Sequence, residues 1–148
     1  MPQKQRFCTF FVDGLFYGVE VEKVQEILRY QEMTPVPLAP SVVRGLINLR
    51  GQIVTAIDLR RRLGRTERSE AQQSLNVVLH TDDGPVSLLV DEIGDVVEVS
   101  EVSFEPPPET LSVKSRSFLR GVHKLDGRLL HVLDAEQAIN LAVQENGV

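Results

Sequence analysis

The sequence predicts a mainly β protein built from two small closed sheets packed together. Three observations carry that prediction. The stretch "RGLINLRGQIVTAIDL" at 44–59 recurs as "RGVHKLDGRLLHVLDA" at 120–135, and at this offset of 76 the copies share Arg44/Arg120, Gly45/Gly121, Leu49/Leu125, Gly51/Gly127 and Asp58/Asp134. Four dipeptides ending in glycine, Asp13-Gly14, Arg50-Gly51, Asp83-Gly84 and Asp126-Gly127, separate apolar segments. A two-residue hairpin turn needs positive φ, which Gly accepts and Asp tolerates. Strands such as "IVTAI" and "RLLHVL" are apolar on both faces, so one sheet with a wet side would expose part of them, whereas two packed sheets bury both.

In chain order, "FCTFFV" and "LFYGVEV" flank Asp13-Gly14 as the first hairpin. The next segment, "VEVEKVQEI" at 19–27, is echoed by "LLVDEIGDV" at 88–96, an offset of 69 that matches Val24 with Ile93, Glu26 with Asp95 and Ile27 with Val96. Val21, Val24, Ile27 and Leu28 fall at i, i+3, i+6 and i+7, which predicts one or two helical turns. The sister segment carries Gly94 and β-branched residues and reads as a turn entering a strand. "TPVPLAPS" (34–41) and "FEPPPET" (104–110) are extended connectors, because proline fixes their course and withholds ladder donors. The second hairpin pairs "LINL" with "QIVTAI", the third "LNVVLHT" with "PVSLLV", and the fourth "LRGVHKL" with "RLLHVL". Asp58 and Asp134 follow strands and suit helix N-caps, and Gln137 completes a capping-box pattern. The last helix runs through "AEQAINLAVQ", with Ala138, Ile139, Leu141 and Ala142 as its apolar stripe.

The offsets of 76 and 69 differ by the extra length of the second connector, so both echoes belong to one duplicated unit. The chain therefore reads as a single domain over 1–148, with subdomain 1 at 7–64, a polar joint "RTERSEAQQS" at 65–74, subdomain 2 at 75–134 and a C-terminal helix at 134–144.

At 148 residues the chain is long enough for a self-sufficient core, and the lone Cys8 can form no internal disulfide, which fits a reducing cytoplasm. No apolar run reaches membrane-spanning length and the N-terminus has no secretory apolar segment. A formal charge of −5 opposes general affinity for nucleic acid or anionic lipid. The one basic cluster, Arg60, Arg61, Arg62, Arg65 and Arg68, lacks interleaved aromatics and reads as a solvated helix end.

Chemistry is sparse. No G-x-S-x-G, P-loop, H-E-x-x-H or Cys-x-x-Cys is present. With Asp126-Gly127 as the turn, His123 and His131 fall on opposite strand faces and cannot share a metal. Asp13, Asp83 and Asp126 are explained as turn residues, Asp58 and Asp134 as caps. The composition and scaffold point to a binding module.

At "VEKVQEI" and "RGLINLRGQIVTAIDLR" the sequence resembles the bacterial chemotaxis coupling (CheW) family, with similar order and spacing from about Phe10 through "LLVDEIGDVVEV" to the C-terminal helix. The resemblance implies two five-stranded SH3-like β-barrels around a shared core, no catalysis and no cofactor. It implies an adaptor that joins the cytoplasmic tips of methyl-accepting chemoreceptors to the regulatory domain of a CheA-type histidine kinase, in the cytoplasm and recruited to membrane-associated receptor arrays. Matched motif by motif, it places a receptor-facing groove at Val24 and Ile27 from one unit and Ile93 and Val96 from the other, with Glu26 and Arg50 close by. Such a groove takes one face of a helix. The plain alternative for the four apolar residues is ordinary core. Arg50 stands at a turn where Asn, Asp or Gly is easier, and is expected to reach Glu26; the sister unit has Asp126 and Asp95 there. The alternative is an exposed turn residue. The kinase contact is not carried to named positions, the hairpin ends and the 104–118 connector being candidates. The proline-rich "FEPPPET" and Ser87, in place of a Gly-like residue, depart from the family pattern.

Three rival readings stand beside this one. The same fold could serve a non-flagellar chemosensory system controlling twitching motility or second-messenger output. An acid pair in the groove would make a small hydrolase, and a nucleic-acid-binding barrel would bind polyanions with strong salt dependence.

Overall fold

A computed structural model describes residues 4–69, 72–100 and 103–142. Its elements are β1 (Lys4–Val12), β2 (Leu15–Glu20), a 3-10 turn (Val21–Lys23), β3 (Val24–Leu28), β4 (Val43–Leu49), β5 (Gln52–Asp58), α1 (Leu59–Arg62), β6 (Leu75–Leu79), β7 (Val86–Val90), β8 (Glu92–Ser100), β9 (Phe104–Glu105), α2 (Val113–Arg116), β10 (Leu119–Leu125), β11 (Arg128–Leu133) and α3 (Ala135–Ile139). They form two sheets. The central sheet is contiguous in sequence and has the order β3-β6-β7-β5-β4; the terminal sheet joins both ends of the chain in the order β8-β1-β2-β11-β10-β9.

The two orders match strand for strand at the offsets of the duplication. Each sheet holds two antiparallel hairpins joined by one parallel pairing: Tyr17 and Gly18 against His131 and Val132, and Val86 and Ser87 against Thr55 and Ala56. Even the connectors correspond, since Glu105 pairs with Val122 while Thr34 bridges to Leu46. Each sheet nevertheless borrows a hairpin from the other half of the sequence: β1-β2 joins β8–β11, and β6-β7 joins β3–β5. The sheets therefore do not divide along 7–64 and 75–134. Sequence adjacency marks the repeat, but the hydrogen-bond partners of each first hairpin lie in the other copy.

Three apolar clusters account for both sheet faces. Phe7, Phe16, Val99, Leu130 and Val132 fill the terminal sheet, and Ile47, Leu49, Val54 and Val78 fill the central one. Between the sheets lies the largest cluster, including Phe10, Tyr17 and Val19 from one and Ile57, Val77, Leu79 and Leu88 from the other. Residues such as Val19/Leu88, Phe10/Leu79 and Ile57/Leu133 in this shared core are equivalents under the repeat, so both copies contribute matching positions where they touch.

Local chemistry follows the sequence in several places. Asp58 accepts from the Arg60 and Arg61 amides, and Asp134 from the Gln137 amide at 3.1 Å. Asp13 and Arg50 take positive φ of 50° and 52° beside Gly14 and Gly51. In three places the structure differs. The Asp83-Gly84 hairpin has a six-residue loop between Leu79 and Val86 rather than a two-residue turn, because Pro85 offers no ladder donor and the Thr81 hydroxyl closes a local turn with Gly84 and Asp83. The expected helical turns at 21–28 are a single 3-10 turn followed by strand. The C-terminal helix stops at Ile139: Asn140 is extended and accepts from the Ala142 amide, and Arg62 takes the Ala138 and Asn140 carbonyls. Val143 and Gln144 of that expected helix, and Glu70 and Ala71 of the joint, lie outside the described residues.

Candidate partner-binding groove

β3 and β8 are edge strands of their sheets, and each carries half of the expected groove. On β3, Val24 lies opposite Leu79 and Ile27 opposite Val77; on β8, Ile93 lies opposite Phe10 and Val96 opposite Cys8. All four partners belong to the shared core. Residues directly opposite in a ladder share a face, so the quartet lies on the faces that the two sheets turn toward each other. Val24 and Ile93 pack against the shared core, whereas Ile27 and Val96, at 40% and 52% exposure, continue the same faces out to solvent.

A spacing of three should place such residues on opposite faces of a regular strand. Here each edge strand has a β-bulge between the two positions, one extra residue against its partner strand. The bulge restores the common face. It also explains why Val24 and Ile27 imitate a helical repeat in the sequence.

Glu26 pairs with Val78, whose side chain fills the central sheet, so it points away from the quartet. The Arg50 guanidinium reaches Glu26 from the β4-β5 turn, as expected, and the sister positions form no such pair among the described residues. Arg50 is 69% exposed and Glu26 21%. The structure thus brings the four apolar residues onto facing surfaces and sets the ion pair behind β3.

The arginine cluster is the main correction. It is not a solvated helix end. Arg60 grips Asp91 through Nε at 3.1 Å and Nη2 at 2.6 Å, Arg68 donates to Asp91 at 2.8 Å, and Arg65 donates to Asp13 at 3.1 Å. Arg62 is fully buried, its Nε donating to the Ala138 carbonyl at 2.9 Å and its guanidinium over the Phe118 ring. Burial alone would raise the Asp91 carboxyl, but the Arg60 fork, the Asp13 amide and Arg68 together hold it below the usual carboxylate value. The cluster turns inward because α1 and the joint run beside the place where the two sheets meet, and carboxylates from both supply partners. The sequence offered little to find these pairs by: Asp91 stands 31 and 23 positions from its arginines, outside any local spacing rule.

His123 and His131 do occupy opposite faces. His131 Nδ1 lies 2.7 Å from the Phe16 carbonyl beside Tyr17, and His123 Nδ1 lies 2.7 Å from Ser103 Oγ between Phe7 and Phe104. Among the described residues no group of three or more His, Cys, Asp or Glu side chains could hold a metal ion. No helix among them is long and apolar enough to cross a membrane.

Two interlocked, pseudo-repeated sheets packed around a shared core define a scaffold of the two-barrel kind. Residues 6–143 match the model of the CheW-like domain, and the chain belongs to that family of non-catalytic scaffold proteins. It is 30% identical over 144 residues to chemotaxis protein CheW of Bacillus subtilis (strain 168), covering 97% of this chain and 92% of the relative, and 34% identical over 132 residues to that of Rhizobium meliloti (strain 1021), covering 89% and 85%. The crystal structure of the scaffolding protein TtCheW from Thermoanaerobacter tengcongensis superposes with a TM-score of 0.82 at 27% identity, over 98% of this chain and 97% of that one.

Proposed function

We propose that this protein couples the cytoplasmic tips of chemoreceptors to the regulatory domain of a CheA-type histidine kinase, as a cytoplasmic adaptor recruited to receptor arrays. The observation that carries this reading is the quartet: two edge strands, equivalent under the repeat, present matched apolar residues that run from the shared core at Val24 and Ile93 out to solvent at Ile27 and Val96. Receptor tips are helical hairpins in the family's scheme, and one helical face with apolar side chains at i, i+3 and i+4 suits such a crease. Behind β3, the Glu26–Arg50 pair ties that wall of the crease to the β4-β5 turn. Relatives named chemotaxis protein CheW support the pathway.

The test is a bridging assay with the purified protein, a receptor cytoplasmic fragment and the kinase regulatory domain. The receptor fragment is expected to retain the kinase domain only when this protein is present. Retention of neither partner would overturn the reading.

A second reading keeps the adaptor role but places it in a chemosensory system with a non-flagellar output. It is favoured by the 30% identity over 107 residues to protein FrzA of Myxococcus xanthus, covering 72% of this chain and 66% of the relative. The genes beside this one would separate the two.

A further inference from the structure

The chain passes between its two sheets at two places. It leaves the terminal sheet after β2 and enters β3 through Val21–Lys23; it returns from β7 to β8 through Asp91. Each crossing leads directly into one wall of the groove, Val24 after the first and Ile93 after the second. The two crossings are equivalents under the repeat, Glu22 standing where Asp91 stands in the other copy.

They are fastened very differently. Asp91 is nearly buried, at 7% side-chain exposure, and receives Arg60 of α1, Arg68 of the joint and the Asp13 amide of the β1-β2 turn at 2.7 Å. Arg60 and Arg65 extend the same network to the Asp13 carboxylate, at 3.7 and 3.1 Å, and Arg68 reaches toward Asp58 at 3.8 Å. One carboxylate thereby ties the exit of the central sheet, the joint and a hairpin turn of the terminal sheet to a single point. Glu22 is exposed and makes no ion pair among the described residues; the first crossing is held instead by the His80 amide on the Lys23 carbonyl at 2.9 Å and by Glu20, which pairs with Lys23 at 3.1 Å and with Arg120 at 3.6 Å.

We propose that Asp91, held by Arg60 and Arg68, is a positioning clasp that fixes the angle between the two sheets and so the width of the groove, with the crossing at Val21–Lys23, which has no buried forked pair of its own, as the side that yields. Neutralising Asp91 loosens the β8 wall from both α1 and the joint, and removing Arg68 loosens it from the joint alone, in neither case deleting a groove residue. A buried, forked pair is stiff because its donors are directional and poorly screened. The consequence for binding rests on the groove reading given above; the clasp itself does not.

Spin labels at Gln25→Cys on β3 and Asp95→Cys on β8, in a Cys8→Ala background of the full chain, read the separation of the walls. The parent is expected to give one narrow distance distribution. Asp91→Asn and Arg68→Gln should broaden it and weaken binding of a receptor cytoplasmic fragment at least fivefold, with far-UV circular dichroism retained, while Glu22→Gln changes neither. If Asp91→Asn fails to fold, Arg68→Gln decides, since it leaves the Arg60 fork in place. A parent-like distribution in the folded clasp variants would overturn the proposal. A broadened distribution with undiminished receptor-fragment affinity would support the clasp and sink the groove.

Discussion

At the scale of single residues, charge placement separates two kinds of arginine in one chain. Arg50 is mostly exposed, so its pairing with Glu26 contributes only ~0–1 kcal/mol to stability. Arg50→Ala should therefore leave the thermal midpoint nearly unchanged while lowering receptor-fragment affinity, read side by side in a binding titration and a melt. The histidines give a pH prediction. Burial lowers the pKa of both His123 and His131 from the ordinary 6.5. As pH falls below about 6.5, the unfolded chain takes up protons that the folded chain refuses, so stability declines with acidification through the window from 6.5 down to the depressed folded values. Urea midpoints at pH 7.5 and 5.5 should show this fall, and His123→Leu should make it shallower. An equal slope in that variant would remove His123 from the account.

At the scale of elements, the hairpins were legible because turn chemistry is local: Asp13-Gly14 and Arg50-Gly51 both take the positive φ that their positions suggest. The edge strands were not, because a bulge is defined by the partner strand, and Val24 and Ile27 alone carry no sign of Leu79 and Val77. The candidate groove quartet could be singled out only through the repeat and the family motif, and the Asp91 ion pairs not at all. The connector at 34–41 supplies another prediction. Leu38 holds φ at 65° in a turn closed by the Ala39 amide on the Val36 carbonyl, with its side chain fully exposed. A branched side chain is strained in the left-handed region and this one recovers nothing by packing. Leu38→Asn should raise the thermal midpoint by about 2–4 °C, measured by calorimetry; a lower midpoint would show that the turn carries no such strain.

At the scale of the whole molecule, exchanged hairpins and a common core bind the two sheets into one cooperative unit. Neither half of the repeat contains a complete sheet: residues 4–69 lack β6 and β7, while the remainder lacks β1 and β2. Fragments 1–69 and 72–148 should each be unfolded alone and recover native-like circular dichroism when mixed in equal amounts. A fragment that folds alone would mean that sequence halves, rather than interlocked sheets, are the units of stability. For the intact chain, coincident transitions by near- and far-UV signals are expected.

The arrangement of the strands also orders events at birth. Strands β3 to β7 leave the ribosome consecutively, so the middle of the chain can assemble while synthesis continues. The β1-β2 hairpin precedes them yet waits longest, because β2 must find β11, more than a hundred residues downstream. Until β8 and β11 have been made, the greasy inner face of Phe7 and Phe16 has no lid, and it is there that a nascent polypeptide of this design most needs a chaperone.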